Sequence, residues 1–250
     1  MNIVTICPIS RKDVYESHIN PCLQRFKMVV VNVNDEKEPF DSVSKKFSLG
    51  TTFALNNNMI KPDDIVLYVH EDVMLLDNLV KEKLEKIFAD KPDVGMVGVE
   101  GIKTLGERFP SNFDYGHYVQ GNQNGVGQGN HVVNKSGIGY FTDMSAVSNY
   151  FFAIRGSLIL DGVLPMVNNE VNGRDVYAID LGMQVMLKGY QIVVADILVF
   201  HASMRYRSSI IVGVQDVYSN LVSKYVDMGV TFPVNGRVIR KASDVIHIEL

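Results

Sequence analysis

The sequence predicts an α/β fold: one large domain with a mostly parallel central sheet and helices on both faces. In the first hundred residues, short and continuously apolar segments alternate with segments of helical periodicity. Strands that are apolar throughout are typical of a parallel sheet whose two faces are both covered. The hydrophobic content of 46% and the charged content of 21% are ordinary for a globular chain of 250 residues.

Each predicted element of the first half follows from its residue pattern. Strands are predicted at residues 2–6, 28–33, 64–69 and 94–99. Between them, the segment at 11–26 is predicted to be helical in part, and helices are predicted over residues 48–60 and 77–90. Pro21 must lie near a boundary or kink of the first helix, a serine is the expected start of the second, and Asp77 is the expected N-cap of the third.

The second half has a less regular pattern. Residues 101–145 are rich in glycine and asparagine without a period, which predicts a long loop or an irregular hairpin insertion. The next elements are expected to be a strand at 146–154, a helix at 175–189 that Gly189 ends, one or two short strands at 191–201 and an amphipathic helix at 209–227. We expect residues 1–100 and 101–250 to be two halves of one continuous domain.

Charge and composition exclude some classes of partner. The net charge of −4 gives no electrostatic reason to expect nucleic acid or an anionic membrane. No apolar segment approaches the ~20 residues of a membrane-spanning helix, and MNIVTICPIS lacks the features of a signal peptide. Cys7 and Cys22 do not have the spacing of metal ligands, and one disulfide would add little to a core of this size. A cytoplasmic location is therefore expected.

Ionisable residues follow two of the predicted apolar strands. His70, Glu71 and Asp72 come directly after the third strand, and ligands bind at the carboxyl ends of strands in open parallel sheets. The two acids are either solvated at this junction or bound to a divalent cation. His201 is either hydrogen-bonded to a loop or a second ligand of that cation. Asp180 is either an ordinary first-turn aspartate or a general base.

These motifs resemble a known family when they are taken in order. VHED, YAIDLGMQVMLKGYQIVV and VFH are similar to the motifs of GT-A-fold glycosyltransferases of the family-2 type. FALNNNMI resembles the A-x-N-x-G helix of that family, with Asn56 as its asparagine. The H-E-D form of the metal motif is similar to a divergent glycosyltransferase-like subgroup that includes majastridin. The resemblance covers roughly residues 1–205 and implies a Rossmann-like GT-A fold.

The resemblance also implies an activity and a role for each motif residue. The expected activity is metal-dependent transfer of a hexosyl-type sugar from a nucleotide-diphosphate sugar, with a UDP-sugar as the expected donor, to an unknown hydroxyl acceptor. Asp72 and His201 would bind Mn²⁺ or Mg²⁺, and Asp180 would be the catalytic base of an inverting enzyme. The residues expected to contact the nucleotide are Cys7, Pro8, Ile9, Asn32, Asn34, Asn56, His70, Glu71, Arg205 and Arg207. Residues 1–100 would thus form the nucleotide-binding half and residues 101–250 the acceptor-side half.

Two alternatives to an active glycosyltransferase remain open on the sequence. A nucleotidyltransferase can share a similar sheet, but CPISRKD contains no glycine for a phosphate-binding loop near the first strand. A catalytically weak or inactive nucleotide-binding protein of the same fold is the other alternative. It remains open because His70 stands where the family has an acid.

Overall fold

The structure is a computed structural model in which a central sheet and a second sheet meet. It describes residues 1–34, 43–103, 115–120, 131–135, 140–165, 176–202, 218, 221, 223–225, 227–228, 232–234 and 237–239. Its strands are β1 (Ile3–Ile9), β2 (Val29–Asn34), β3 (Ile65–Val69), β4 (Val73–Leu75), β5 (Val94–Gly98), β6 (Glu100–Ile102), β7 (Tyr115–Gln120), β8 (His131–Lys135), β9 (Ala146–Val147), β10 (Phe151–Arg155), β11 (Gln191–Val194), β12 (Val199–His201), β13 (Phe232–Val234) and β14 (Arg237–Ile239). Its helices are α1 (Lys12–Ser17), α2 (Ile19–Arg25), α3 (Val43–Asn56), α4 (Val80–Asp90), α5 (Gly156–Leu160) and α6 (Tyr177–Leu187).

The central sheet has the strand order β11-β5-β10-β3-β1-β2. β1 is parallel to β2 and β3, and β11 is parallel to β5. β10 lies between β3 and β5 and is antiparallel to both. The predicted α/β fold with a mostly parallel sheet is therefore confirmed, with β10 as the antiparallel exception.

Both faces of this sheet are covered by helices, as predicted. Along β1, Ile3 and Cys7 belong to one apolar cluster, whereas Val4 and Ile6 belong to another. Successive side chains of a strand point to opposite faces, so the two clusters are the two faces of the sheet. The first cluster contains residues of α1, α2 and α4, and the second contains residues of α3, α5 and α6.

The second sheet has the order β4-β12-β7-β6-β9, with β8 paired to β7. β7 and β8 form an antiparallel pair inside the segment for which a loop or an irregular hairpin was expected. The apolar segment at 191–201 divides between the two sheets, because β11 joins the central sheet and β12 joins the second. The division of the chain into a nucleotide-binding half and an acceptor-side half stays a prediction.

Two predicted helix starts are wrong, whereas the boundary predicted near Pro21 and the end predicted at Gly189 are right. α3 begins at Val43 rather than at Ser48, because no helix-breaking residue separates these positions. α4 begins at Val80, and the Asp77 carboxylate instead accepts a hydrogen bond from the amide of Leu79, 2.8 Å away. The segment at 11–26 divides into α1 and α2 near its proline, and Gly189 follows α6 with a φ of 82°. The predicted helix at 209–227 lies mostly outside the described residues.

Among the helices that the structure describes, none combines the length and apolar character needed to cross a bilayer.

Gly50 sets how closely α3 packs on the sheet. A Cβ atom at this position would lie 2.5 Å from Cγ2 of Ile6 and 2.9 Å from Cγ2 of Val33. We expect Gly50→Val to lower the free energy of unfolding by about 2 kcal/mol, because both neighbours are sheet side chains with little freedom to move. Urea denaturation measures this change. Thr52→Ala, on the exposed side of α3, is the control and should change stability by less than about 0.5 kcal/mol.

Candidate functional site

The candidate site forms where β3 ends and the chain turns into β4. β4 pairs antiparallel with β12, in a register that sets His201 opposite Val73. The amide of Ala202 donates a hydrogen bond to the Asp72 carbonyl, 2.9 Å away. This pairing places the His201 ring beside the Asp72 side chain, with 3.7 Å between Nε2 and Oδ1.

His70, Asp72 and His201 form a group with the geometry of a metal site. One donor atom from each residue lies within 4.8 Å of the others. Asp72 Oδ1 is buried and accepts no hydrogen bond within the described part of the chain, as expected for an atom that faces a cation. Two imidazoles and one carboxylate fit Mn²⁺ better than Mg²⁺, which prefers oxygen ligands. The structure thus brings together the predicted ligand pair and adds His70, which the motif had assigned to the nucleotide.

A hydrogen-bond chain fixes the tautomer of His70. The Tyr177 hydroxyl donates to the Asn149 carbonyl at 2.7 Å, and its oxygen lies 2.6 Å from His70 Nε2. Because a phenol has only one proton to donate, Nε2 must carry the proton of this second hydrogen bond. Burial lowers the pKa of His70 to about 4, although the Asp72 carboxylate acts in the opposite direction. His70 is therefore neutral at pH 7, with its lone pair on Nδ1 as a metal ligand requires.

Aromatic side chains hold the two histidine rings in place. Tyr150 stacks on His201 with 4.2 Å between ring centroids and 15° between planes, and its carbonyl accepts the amide hydrogen of His70 at 3.0 Å. The Tyr150 hydroxyl in turn donates to the buried carboxylate of Glu100, 3.3 Å away. Phe47 of α3 stacks on the other histidine, His70, at 6.0 Å. These contacts restrict the rings to orientations that face Asp72.

Glu71 has a structural role at the same strand end. Its carboxylate accepts hydrogen bonds from the amides of Ser10 and Arg11, at 2.5 and 2.9 Å, and lies 3.4 Å from the Arg11 guanidinium. The side chain therefore ties the turn after β1 to the turn after β3. Of the two adjacent acids, one is satisfied by backbone amides and the other faces the histidines. Contact of Glu71 with a nucleotide stays a prediction.

The predicted nucleotide residues of β1 and β2 lie side by side, but the three on β1 are buried. Cys7 pairs with Asn32 and Ile9 with Asn34 across the two parallel strands. All three residues on β1 are buried. Two of them, Cys7 and Ile9, belong to the apolar core. The Asn32 side chain is exposed. A nucleobase at this edge would meet Asn32 and backbone atoms rather than the side chains of β1.

Asn56 is not brought to this end of the sheet. It is the last residue of α3, whereas Phe47, which contacts His70, is nine residues earlier. At 1.5 Å per residue, the two positions are roughly 13 Å apart along the helix axis. The motif letters suggested proximity, but a helix that connects two parallel strands runs back toward their amino ends. Arg205 and Arg207 lie outside the described residues.

Asp180 lies one helical turn after Tyr177 and is buried. Its Oδ1 accepts a hydrogen bond from the Tyr225 hydroxyl at 2.6 Å, and its Oδ2 accepts one from the Gln184 side chain at 2.8 Å. Burial raises the pKa of Asp180, whereas both hydrogen bonds and Lys224 lower it. A carboxylate with a raised pKa is a stronger proton acceptor, which suits a general base.

Sequence reasoning missed three residues around this group: Tyr150, Tyr177 and Lys46. Tyr177 was in view as part of the YAID motif, three positions before Asp180, but nothing in the pattern indicated which residue it would contact. Lys46 is buried in the first turns of α3, with its ammonium 2.8 Å from the Ser10 hydroxyl. It was missed because the helix was expected to begin only at residue 48.

Tyr177→Phe is expected to let His70 adopt both neutral tautomers. Without the phenol, Nε2 loses its hydrogen-bond acceptor, so the apo protein should show a mixture of Nδ1-H and Nε2-H forms. Two-bond ¹H–¹⁵N NMR of the apo wild type should show the Nε2-H form alone. Phe141→Leu, a partly buried apolar change in the neighbouring cluster, is the control and should leave the pattern intact. A wild-type His70 in the Nδ1-H form would contradict the assignment.

Comparisons with known proteins identify the family. A family model described as a glycosyltransferase-like family matches residues 17–210. No curated protein matches the chain. Similar solved structures include the STIV protein A197, with 12% identity over 80% of this chain and 85% of that chain and a TM-score of 0.46.

Two further solved structures are glycosyltransferases by name. GalNAc-T7 with UDP, GalNAc and Mn²⁺ has 11% identity over 90% of this chain and 50% of that chain, with a TM-score of 0.47. A mutant of Drosophila β1,4-galactosyltransferase 7, in complex with manganese, UDP-Gal and xylobiose, has 13% identity over 82% of this chain and 73% of that chain, with a TM-score of 0.44. This chain thus spans half the length of the GalNAc-T7 chain. Because the family model covers most of the sequence, the chain belongs to this glycosyltransferase-like family, and the resemblance seen in its motifs is confirmed.

Proposed function

We propose that the protein is a metal-dependent glycosyltransferase that takes a sugar from a nucleotide-diphosphate donor and passes it to a hydroxyl acceptor. Membership of the family supports the class of reaction. The observation that supports the metal dependence is the convergence of His70, Asp72 and His201, with a buried carboxylate oxygen that has no hydrogen-bond donor among the described residues. A UDP-sugar is the proposed donor and Mn²⁺ the proposed ion.

A divalent cation at this site would neutralise the charge that develops on the leaving diphosphate. His70, Asp72 and His201 would hold the ion, and each residue has a property that suits this role. Asp72 contributes the negative charge that attracts a cation. His70 is neutral with Nδ1 unprotonated, and His201 is held in place by the ring of Tyr150.

Asp180 is the proposed base on the acceptor side. Its two carboxylate oxygens each accept one hydrogen bond, from Tyr225 and from Gln184, and each retains a second lone pair. An acceptor hydroxyl would donate to one of these lone pairs and lose its proton to the carboxylate. Its oxygen would bond to the anomeric carbon of the donor sugar as the bond from that carbon to the diphosphate breaks and the nucleoside diphosphate leaves. The two existing hydrogen bonds would keep the carboxylate oriented during this step.

A nucleotide-binding protein that does not transfer sugar is the second candidate. The specific observation that favours it is the state of Asp180, whose carboxylate is buried and already hydrogen-bonded to two side chains. Both candidates bind nucleotide, so binding does not separate them. Slow hydrolysis across a panel of UDP-sugars does, since only an enzyme would release the sugar.

Asp72→Ala is expected to remove the metal dependence of UDP binding. The wild type should bind UDP at least about tenfold more tightly with Mn²⁺ than with EDTA, because an ion held by His70, Asp72 and His201 would also attract the diphosphate. Isothermal titration calorimetry measures both affinities. Asp63→Ala removes an exposed carboxylate just before β3 and should leave the metal dependence intact. Equal affinities with and without Mn²⁺ in the wild type would refute the proposed function.

Asp180→Asn is expected to stop sugar transfer without weakening nucleotide binding. The amide has nearly the same size but cannot accept a proton, so donor hydrolysis should fall by roughly 10²-fold or more. The Kd for UDP should stay within about twofold, because Asp180 is proposed to act on the acceptor. Tyr225→Phe, which removes one hydrogen bond and keeps the carboxylate, is the control and should lose less activity. A large loss of UDP affinity in Asp180→Asn would show that the role is misassigned.

A further inference from the structure

Lys46 carries a buried positive charge that the protein does not balance within the described residues. Only 1% of the residue is exposed, and lysine is almost never buried to this degree unless it is paired. Its ammonium donates one hydrogen bond, to the Ser10 hydroxyl at 2.8 Å. In the described ranges, no carboxylate lies within ion-pair distance of this ammonium and no second acceptor contacts it. Two of its three N–H groups therefore donate no hydrogen bond to the described residues.

The ammonium lies at the same strand ends as the three candidate metal ligands. Lys46 precedes Phe47, whose ring stacks on His70. Ser10, which accepts the hydrogen bond from Lys46, follows β1, and its amide is bonded to the Glu71 carboxylate. Lys46 is thus linked through Ser10 and Glu71 to the turn after β3, which carries His70 and Asp72.

The neighbouring acids, Glu71 and Asp72, interact with other groups. Glu71 already accepts hydrogen bonds from two backbone amides and is paired with the Arg11 guanidinium. Asp72 faces the two histidines. A neutral hydroxyl does not compensate the charge of Lys46, and a buried charge without a counter-ion is unfavourable. The surplus charge therefore favours an anionic ligand over a neutral one.

We propose that Lys46 binds the phosphate oxygens of the nucleotide diphosphate, with Ser10 holding the ammonium in position. This inference rests on the proposed function, because it assigns a residue to the donor site of that reaction. A lysine ammonium is a compact point charge that suits phosphate oxygens, and its contribution is independent of the divalent ion. The part of the donor that Lys46 recognises is the diphosphate and not the nucleoside.

The test compares the affinities of UDP and uridine in Lys46→Met and in the wild type. The Kd for UDP should rise at least about tenfold in the variant, which is the size expected when a charge-assisted hydrogen bond is lost. The Kd for uridine should change less than about twofold. Lys45→Met makes the same change of charge on the adjacent residue of α3 and should leave both affinities within about twofold of the wild type.

The outcomes separate this inference from the proposed function. Failure of the wild type to bind UDP would overturn both. Metal-dependent UDP binding by the wild type, together with an unchanged preference for UDP over uridine in Lys46→Met, would overturn only the role of Lys46. Thermal melts establish whether the variant is folded.

A measurement on the wild type decides the question if Lys46→Met does not fold. The ¹⁵N resonance of Lys46 Nζ, assigned by its loss in Lys46→Arg, should move when UDP or inorganic pyrophosphate is added and stay in place with uridine. If the protein binds UDP but the chemical shift of this resonance does not change with UDP or with pyrophosphate, the proposal is wrong.

Discussion

The candidate site depends on three side chains, His70, Asp72 and His201, whose possible ligand atoms lie within 4.8 Å of one another. Within the described residues, Asp72 Oδ1 is buried without a hydrogen-bond donor, and His201 Nε2 lies 3.7 Å from it. Leaving a buried polar atom unsatisfied costs about 1–3 kcal/mol, and more for a charged one. A cation held by these three residues would remove this cost. Without an ion, this arrangement would lower the stability of the fold, so it is better explained as a metal site than as a structural feature.

Backbone pairing imposes this arrangement on the side chains. His201 meets Asp72 because β12 and β4 pair in one register, which the hydrogen bond from Ala202 to the Asp72 carbonyl continues past the strand end. A shift of one residue would turn His201 to the opposite face of the second sheet. Glu71 fixes the turn from its other side, by holding the amides after β1. The candidate metal ligands thus lie between two sets of backbone hydrogen bonds, which place their backbone, while the contacts with Tyr150, Phe47 and Tyr177 orient the two histidine rings.

The sequence predicted the central sheet and the pairing of Asp72 with His201, but for an incomplete physical reason. Both residues end apolar segments, which suggested two parallel strands of one sheet, whereas β12 belongs to the second sheet and reaches Asp72 through β4. β4 has only three residues, too few to show a period. Tyr150 was not predicted because its contacts with His70 and His201 join segments far apart in the chain. Asn56 shows the opposite case, since its motif matched while the direction of α3 placed it at the other end of the sheet.

Helix α6 couples the two chemical halves of the candidate site. Tyr177 reaches His70 from its first turn, and Asp180 follows one turn later. Residues 177–183 of α6 are buried without interruption, and the helix packs against β5, β9 and β11. Dense packing around these residues leaves little space for their side chains to adopt other positions. Helix α6 therefore contacts His70 through Tyr177 and also carries Asp180, the proposed base, so the packing that positions Tyr177 also positions Asp180.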